Sequence, residues 1–219
     1  MPAQTAQTAQ TAPAWTTQEL EVLSGLTSPA LVQGYLDTIP YSTDPIYRCP
    51  RSVLRDRKAH CYDGAVFAAA ALRRLGYPPV LVNMLAERDD EHLAALFKVD
   101  GHWGAVAKSN TTGLRFREAV YRSLRELLMS YFEDYFNVEG LRSLRSYLLP
   151  LNLDTLDSLA WQTDDTAMDV IAGALNHRRK VPLVTPAMVA RLSPVDRRAY
   201  EAGFMGSDDA GLFKPAAHS

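Results

Sequence analysis

Cysteine is scarce: the 219-residue chain has two, Cys49 and Cys61. Two thiols make no disulfide framework, and a reducing cytoplasm is the expected compartment. No run is long and apolar enough to span a bilayer. The N-terminus lacks the basic and apolar regions of a secretory signal. An excess of charge of one sign is also missing. The formal net charge is −2, so bulk electrostatics predict neither a nucleic-acid nor a membrane partner. There is no Walker loop, dinucleotide glycine fingerprint or calcium loop. His60, Cys61, His92 and His102 are ligand types, but their spacing matches no compact zinc pattern. Neither a metal nor a cofactor is expected.

At the N-terminus, Ala-Gln-Thr recurs at Ala3, Ala6 and Ala9, so residues 1–14 are expected to be a disordered low-complexity tail. Residues 15–210 are expected to form one domain and 211–219 a frayed tail. Thr17 is the expected cap of a first helix through Leu23. Residues 31–57 should supply a helix and an irregular approach, with a turn at Tyr41-Ser42-Thr43-Asp44-Pro45. Val120, Leu124, Leu127, Leu128, Tyr131, Phe132 and Tyr135 follow three-four spacing, which predicts an amphipathic helix. Arg115, Arg117, Arg122 and Arg125 beside it read as a solvated face, with an acidic partner site as the alternative. The C-terminal third reads as mainly helical. A helix is expected over 165–175, with Pro-led starts at Thr185-Pro186 and Ser193-Pro194.

The stretch 60–110 is the most informative. Cys61 heads a run from Tyr62 to Leu75 that is rich in alanine and leucine, with high helix propensity. Ala65, Val66, Phe67 and Leu72 with the alanines between them leave it apolar nearly all round, as a buried central helix is. Asp63 in the first turn suits the helix dipole. Gly76 closes the helix, and Pro78 and Pro79 prevent its continuation. Residues 80–85 read as a strand and 87–91 as an acidic loop. His92–Val99 and His102–Lys108 form a hairpin around Asp100-Gly101. If Asp100 and Gly101 are the two turn residues, Val99 pairs with His102 and the register carries His92 opposite Ser109. Strand alternation then puts Ser109 on the face shared by His92, with Asn110 next.

A thiol at a helix N-terminus facing a histidine on a sheet suits cysteine-dependent acyl transfer. The thiolate is the nucleophile, and both a helix N-terminus and a nearby imidazolium favour it. A third polar group commonly orients the imidazole. The plainer reading of Cys61 is a small core residue, and of His92 an ordinary strand histidine. His60 and His102 read as structural or exposed. Pro50 argues against a helix with Cys49 inside it, so Cys49 reads as non-catalytic.

The segment resembles the transglutaminase-like superfamily, which shares the papain-like cysteine-enzyme architecture. The resemblance rests on Cys61, Asp63, Ala65, Leu72, Leu75, Gly76, His92, Gly101 and Trp103, and spans about a quarter of the chain. It implies a Cys-His-Asp or Cys-His-Asn triad, with Cys61 and His92 carried over directly. The acid does not carry over, because Ala107 stands where the family usually has Asp. Ser109 or Asn110 is left to orient His92.

The expected fold is therefore α+β: a papain-like/transglutaminase-like core, with a buried Cys-bearing helix packed on a small antiparallel sheet and helical N- and C-terminal elaborations. The expected catalytic residues are Cys61, His92, Asn110 and Ser109, with Trp103 and Tyr62 as substrate-binding aromatics. A peptide or small amide or ester is the expected substrate, and oligomeric state is left open. Two alternatives remain. One is an arylamine N-acetyltransferase-like acyltransferase, although the Arg-Gly-Gly that precedes that family's cysteine is missing. The other is a catalytically inactive binding module, which the absence of an acid at Ala107 supports.

Overall fold

The structure is a computed structural model and describes residues 15–214; the expected tail 1–14 lies outside them. Four helices come first: α1 (Thr17–Gly25), α2 (Pro29–Thr38), α3 (Pro50–Asp56) and α4 (Cys61–Arg74). Strands β1 (Val80–Ala86), β2 (His92–Val99), β3 (His102–Val106) and β4 (Arg117–Tyr121) follow, then α5 (Leu124–Met129) and β5 (Leu144–Asn152). After a 3-10 segment (Leu153–Leu159) come α6 (Ala167–Asn176), β6 (Lys180–Pro182), α7 (Pro186–Val189) and α8 (Arg197–Gly203). The described chain closes on a 3-10 turn at Asp209–Gly211. The strands form one antiparallel sheet in the order β4-β3-β2-β1-β5-β6.

α4 lies against one face of this sheet. Residues 65–72 are at most 2% exposed, as its all-round apolar composition requires. Phe67 and Leu72 are each fully buried, which contributes about 1.5–3 kcal/mol per side chain. The core on this face joins α4 to Leu81, Leu93, Ala95 and Phe97. The opposite face carries Val82, Met84, Ala94 and Leu96, covered by Leu127, Leu128, Tyr131 and Tyr135. Odd and even positions of β1 and β2 thus serve two different cores, as a period of two demands.

The hairpin forms as expected. Asp100 and Gly101 both have positive φ, 50° and 80°, and Val99 pairs with His102. Two residues with φ > 0 define the type I′ turn that matches strand twist. β3 ends at Val106, so the extrapolated pairing of His92 with Ser109 does not form, and on its other side His92 pairs with Met84.

Several expectations fail, each for an identifiable reason. The first helix is capped by Thr16, not Thr17: the Thr16 side chain accepts from Glu19 N–H while Glu19 returns a bond to Thr16 N–H. The stripe from Val120 to Tyr135 is not one helix. Val120 lies on β4 and is 63% exposed, α5 has six residues, and tight turns carry Tyr131 and Tyr135 into the core. The C-terminal third is mainly helical, with the helix expected over 165–175 formed as α6, but it also adds the short β6, which pairs with β5. Thr185 caps a Pro-led helix as expected, but the last helix begins after Asp196 and not at Ser193-Pro194. No helix among the described residues is long and apolar enough to cross a membrane.

Candidate active site

Cys61 is the first residue of α4, with His60 as its cap. The His60 ring accepts at Nδ1 from Tyr62 N–H (3.1 Å) and Asp63 N–H (3.4 Å), and its Nε2 lies 3.2 Å from the Ile46 carbonyl. A carbonyl can only accept, so Nε2 bears the proton and Nδ1 is the acceptor a helix start needs. Burial holds this ring down at about 4, in its neutral form. Asp63 completes the cap by accepting from His60 N–H and, at 2.7 Å, from Arg48 N–H. Its side chain is fully buried. Burial pushes the Asp63 carboxyl up to about 7, against the pull of those donors and of the Arg48 guanidinium 3.6 Å away.

Arg48 ties the approach loop to this helix start. It is 3% exposed in its side chain and binds Asp44, Asp56 at 2.9 Å and Ser42 at 3.0 Å. The loop from Tyr41 to Tyr47 is thereby fixed beside Cys61. A cleft of about 530 Å³ opens there, lined among others by Tyr41, Tyr47, Cys61, Asn83 and Glu91. A constricted cavity of about 60 Å³ continues from it and is lined by Cys61, His92, Ser109 and Asn110. The four residues expected to be catalytic therefore share one cavity, though not in the expected contacts.

Cys61 is half-buried, and its thiol donates to the Glu91 carbonyl at 3.7 Å. Burial pushes this thiol up to about 11, the nearby Asp90 and Asp63 carboxylates add to the rise, and Leu93 and Tyr62 N–H groups pull it down. The helix dipole thus does not make a thiolate in the resting site, because desolvation outweighs it. His92 is 5% exposed. Burial takes its imidazole down to about 4, so this ring is neutral too.

The orienter of His92 is neither Ser109 nor Asn110. His92 Nε2 lies 2.7 Å from the Leu114 carbonyl. This contact requires Nε2–H and leaves the Nδ1 lone pair free. Tyr135 meets the ring edge-on at 6.3 Å. Because β3 stops at Val106, the chain beyond it turns away from the ladder. Ser109 Oγ then pairs with Thr111 Oγ1 at 3.1 Å and accepts from Thr111 N–H. Asn110 spends its whole amide on Asp208, donating to its carbonyl at 2.8 Å and accepting from its N–H at 2.9 Å. A backbone carbonyl has no side-chain signature, so Leu114 was not legible in the sequence.

Of the two aromatics, Tyr62 lines the cleft, its ring tilted against that of Tyr47 at 4.4 Å, while its hydroxyl donates to the Met168 carbonyl at 2.6 Å. Trp103 sits at the turn end of β3, opposite Lys98 and carrying the Lys98 ammonium 3.9 Å above its ring. His92 opens β2 and Lys98 nearly closes it, so about 20 Å of strand separates Trp103 from the site. Its role is in the hairpin. Three of the four arginines hold structure: Arg115 pairs with Asp37 at 3.3 Å, Arg117 binds Ser130 and Asp134, and Arg125 binds the Leu183 carbonyl.

Tyr41 was missed altogether. It lines both the cleft and the constricted cavity with Cys61, and burial raises its pKa far above the ordinary phenol value. Its place in an irregular loop left no periodic signal. Asn83 was missed as well. It is 2% exposed on β1, donates to Glu91 at 2.6 Å and leaves its Oδ1 without a partner. Among the described residues, no group of His, Cys, Asp and Glu side chains is arranged to hold a metal ion.

Compared with known proteins, the chain matches no family model and no curated protein. Among solved structures it is similar to Legionella pneumophila LapG, at 15% identity over 52% of this chain and 84% of that one, with a TM-score of 0.34. The EGTA-treated form of LapG gives 14% identity over 69% of this chain and 87% of that one, with a TM-score of 0.41.

Proposed function

We propose that the chain is a cysteine-dependent acyl-transfer or amide-hydrolysing enzyme of transglutaminase-like type, with Cys61 as nucleophile and His92 as base and then acid. One observation carries the reading. Cys61 at the tip of the buried central helix and a His92 ring locked by the Leu114 carbonyl line the same constricted cavity. The lock leaves Nδ1 as the basic nitrogen.

Both groups rest neutral. Attack begins when the thiol leaves the Glu91 carbonyl and passes its proton to His92 Nδ1 as sulfur bonds to a substrate carbonyl carbon. The tetrahedral intermediate collapses by expelling the amine or alcohol, which takes the proton from His92. Water, deprotonated by the same nitrogen, then cleaves the thioester and regenerates the thiol; an amine in place of water gives transfer. The Cys61 N–H is one oxyanion donor, and the Tyr41 hydroxyl, kept protonated by its raised pKa, is the second. A neutral carbonyl behind His92 holds the ring but stabilises imidazolium less than a carboxylate would, so turnover is expected to be slow.

The neutral pair also favours a second reading, that of an inactive scaffold that keeps the cleft for binding. A panel of peptide amides, esters and thioesters, assayed with the wild type, Cys61→Ala and His92→Ala, separates the two. Loss of turnover in both variants supports the enzyme. Full turnover by Cys61→Ala overturns it, and no turnover of any donor by the wild type favours the scaffold.

A further inference from the structure

After α8 the chain crosses back over the candidate site. Ser207 Oγ donates to the Asn110 carbonyl at 2.7 Å. The Asn110 amide then grips the backbone of Asp208 through both its N–H and its C=O. A side-chain amide that satisfies both main-chain groups of one residue reads peptide backbone and is indifferent to the side chain attached. Asp208 caps the short 3-10 turn that follows, and Gly211 passes between Asn110 and Tyr41. A Cβ on Gly211 would lie 3.0 Å from Asn110 Nδ2 and from two Tyr41 ring carbons, so any larger residue in the passage needs these side chains to give way by a few tenths of an ångström. Beyond it, Leu212 and Phe213 are half-buried and line both the open cleft and the Cys61–His92 cavity.

We propose that residues 208–213 lie along the wall of the Cys61 cleft as a bound peptide would, so that the site's ligand class is an extended peptide with glycine at the Tyr41–Asn110 constriction and apolar residues after it. The chain's own C-terminal segment is then a built-in competitor for the site. That such a ligand is also the acyl donor rests on the reading of Cys61 as nucleophile. Tyr41 therefore has two roles, as one wall of the glycine passage and as a neighbour of the reactive thiol.

The test reads Cys61 alkylation by iodoacetamide, which needs no turnover. Two proteins are compared with the full chain: Gly211→Val, whose branched side chain crowds Asn110 and Tyr41 at the constriction, and a chain ending at Ser207. Both are expected to label Cys61 faster by about tenfold, since the segment that walls its cavity is lifted. A synthetic peptide Asp-Asp-Ala-Gly-Leu-Phe, residues 208–213, should restore protection to the shortened chain, and the same peptide with valine for glycine should not. Labelling at the full-chain rate in both altered proteins overturns the proposal. So does equal protection by the glycine and valine peptides. If the glycine peptide protects but no peptide, ester or thioester is turned over by the shortened chain, the peptide site stands and the nucleophile reading falls.

Discussion

Cys49 and Cys61 stand at the starts of successive helices, and the two starts are built differently. Cys49 precedes Pro50, which opens α3, and has no capping bond from its own side chain. Its N–H is taken by Asp165, 116 residues further on, which also accepts from Ser52 Oγ at 2.8 Å. The Cys49 thiol is sealed at 1% exposure against Ser52. Cys61 follows a local cap, the neutral ring of His60, and faces a cleft. Burial pushes both thiols up to about 11. Acidity therefore does not distinguish them, and access and the neighbouring His92 do. A thiol made reactive by the helix dipole alone would behave alike at the two starts.

Removing each sulfur is the largest test of this contrast. Cys61→Ala is expected to lower kcat/KM by about 10³-fold or more, whereas Cys49→Ala should leave it within about twofold. Comparable losses would mean that both starts matter only for stability. Next comes the guanidinium that anchors the approach to α4. Arg48→Met removes the buried guanidinium shared by Asp44, Asp56 and Asp63, and should cost about 3–5 kcal/mol in urea denaturation, the usual penalty for breaking a buried ion pair. A loss below about 1 kcal/mol would show the cluster to be dispensable.

Asp165→Ala tests the other start. It removes the distant cap of α3 and should cost about 1–2 kcal/mol while leaving the rate of Cys61 alkylation unchanged. A change in that rate would show that the two starts are coupled. The smallest effect concerns protonation. His92, held near 4 by burial, should remain neutral by NMR down to about pH 5 and titrate below it. Its folded value is below the unfolded value of about 6.5, so it costs stability as the pH falls from about 6.5 towards 4, where the unfolded chain takes up the proton first. His60 acts in the same direction, whereas Asp63, raised to about 7, acts oppositely in the overlapping range. The ring itself is therefore the proper observable. Titration of His92 near 6.5 would show the site to be open to water.

Legibility followed sequence distance. α4, the Asp100-Gly101 hairpin and β1 were readable because each is specified by its own residues: an alanine-rich run, a turn dipeptide, a short apolar stretch that follows two prolines and ends at an acidic loop. β5 was not read, although it pairs with β1 in the middle of the sheet. Leu144, Ser146 and Leu148 alternate inward, but Pro150 argues against an interior strand. The structure accommodates it where the ladder shifts register between Leu81 and Asn83. The stripe from Val120 to Tyr135 had helical spacing, yet it is divided between β4, α5 and turns. Ser130 accepts Arg117 there, and Tyr131 donates its hydroxyl to the Arg115 carbonyl.

The sequence by itself determined that a buried helix begins at Cys61, that a strand begins at His92 and that a tight hairpin follows. These depend on propensity, period and turn chemistry over a few residues. Only the tertiary structure decided what those residues meet. Leu114 contributes a carbonyl, identical in every residue type, and so holds His92 without any mark in the sequence. Asn110 faces Asp208 and not His92, because the strand it was expected to extend ends at Val106 and the chain returns there from α8. Burial sets the protonation of Cys61 and His92 against their intrinsic tendencies, and burial is a property of everything packed around them.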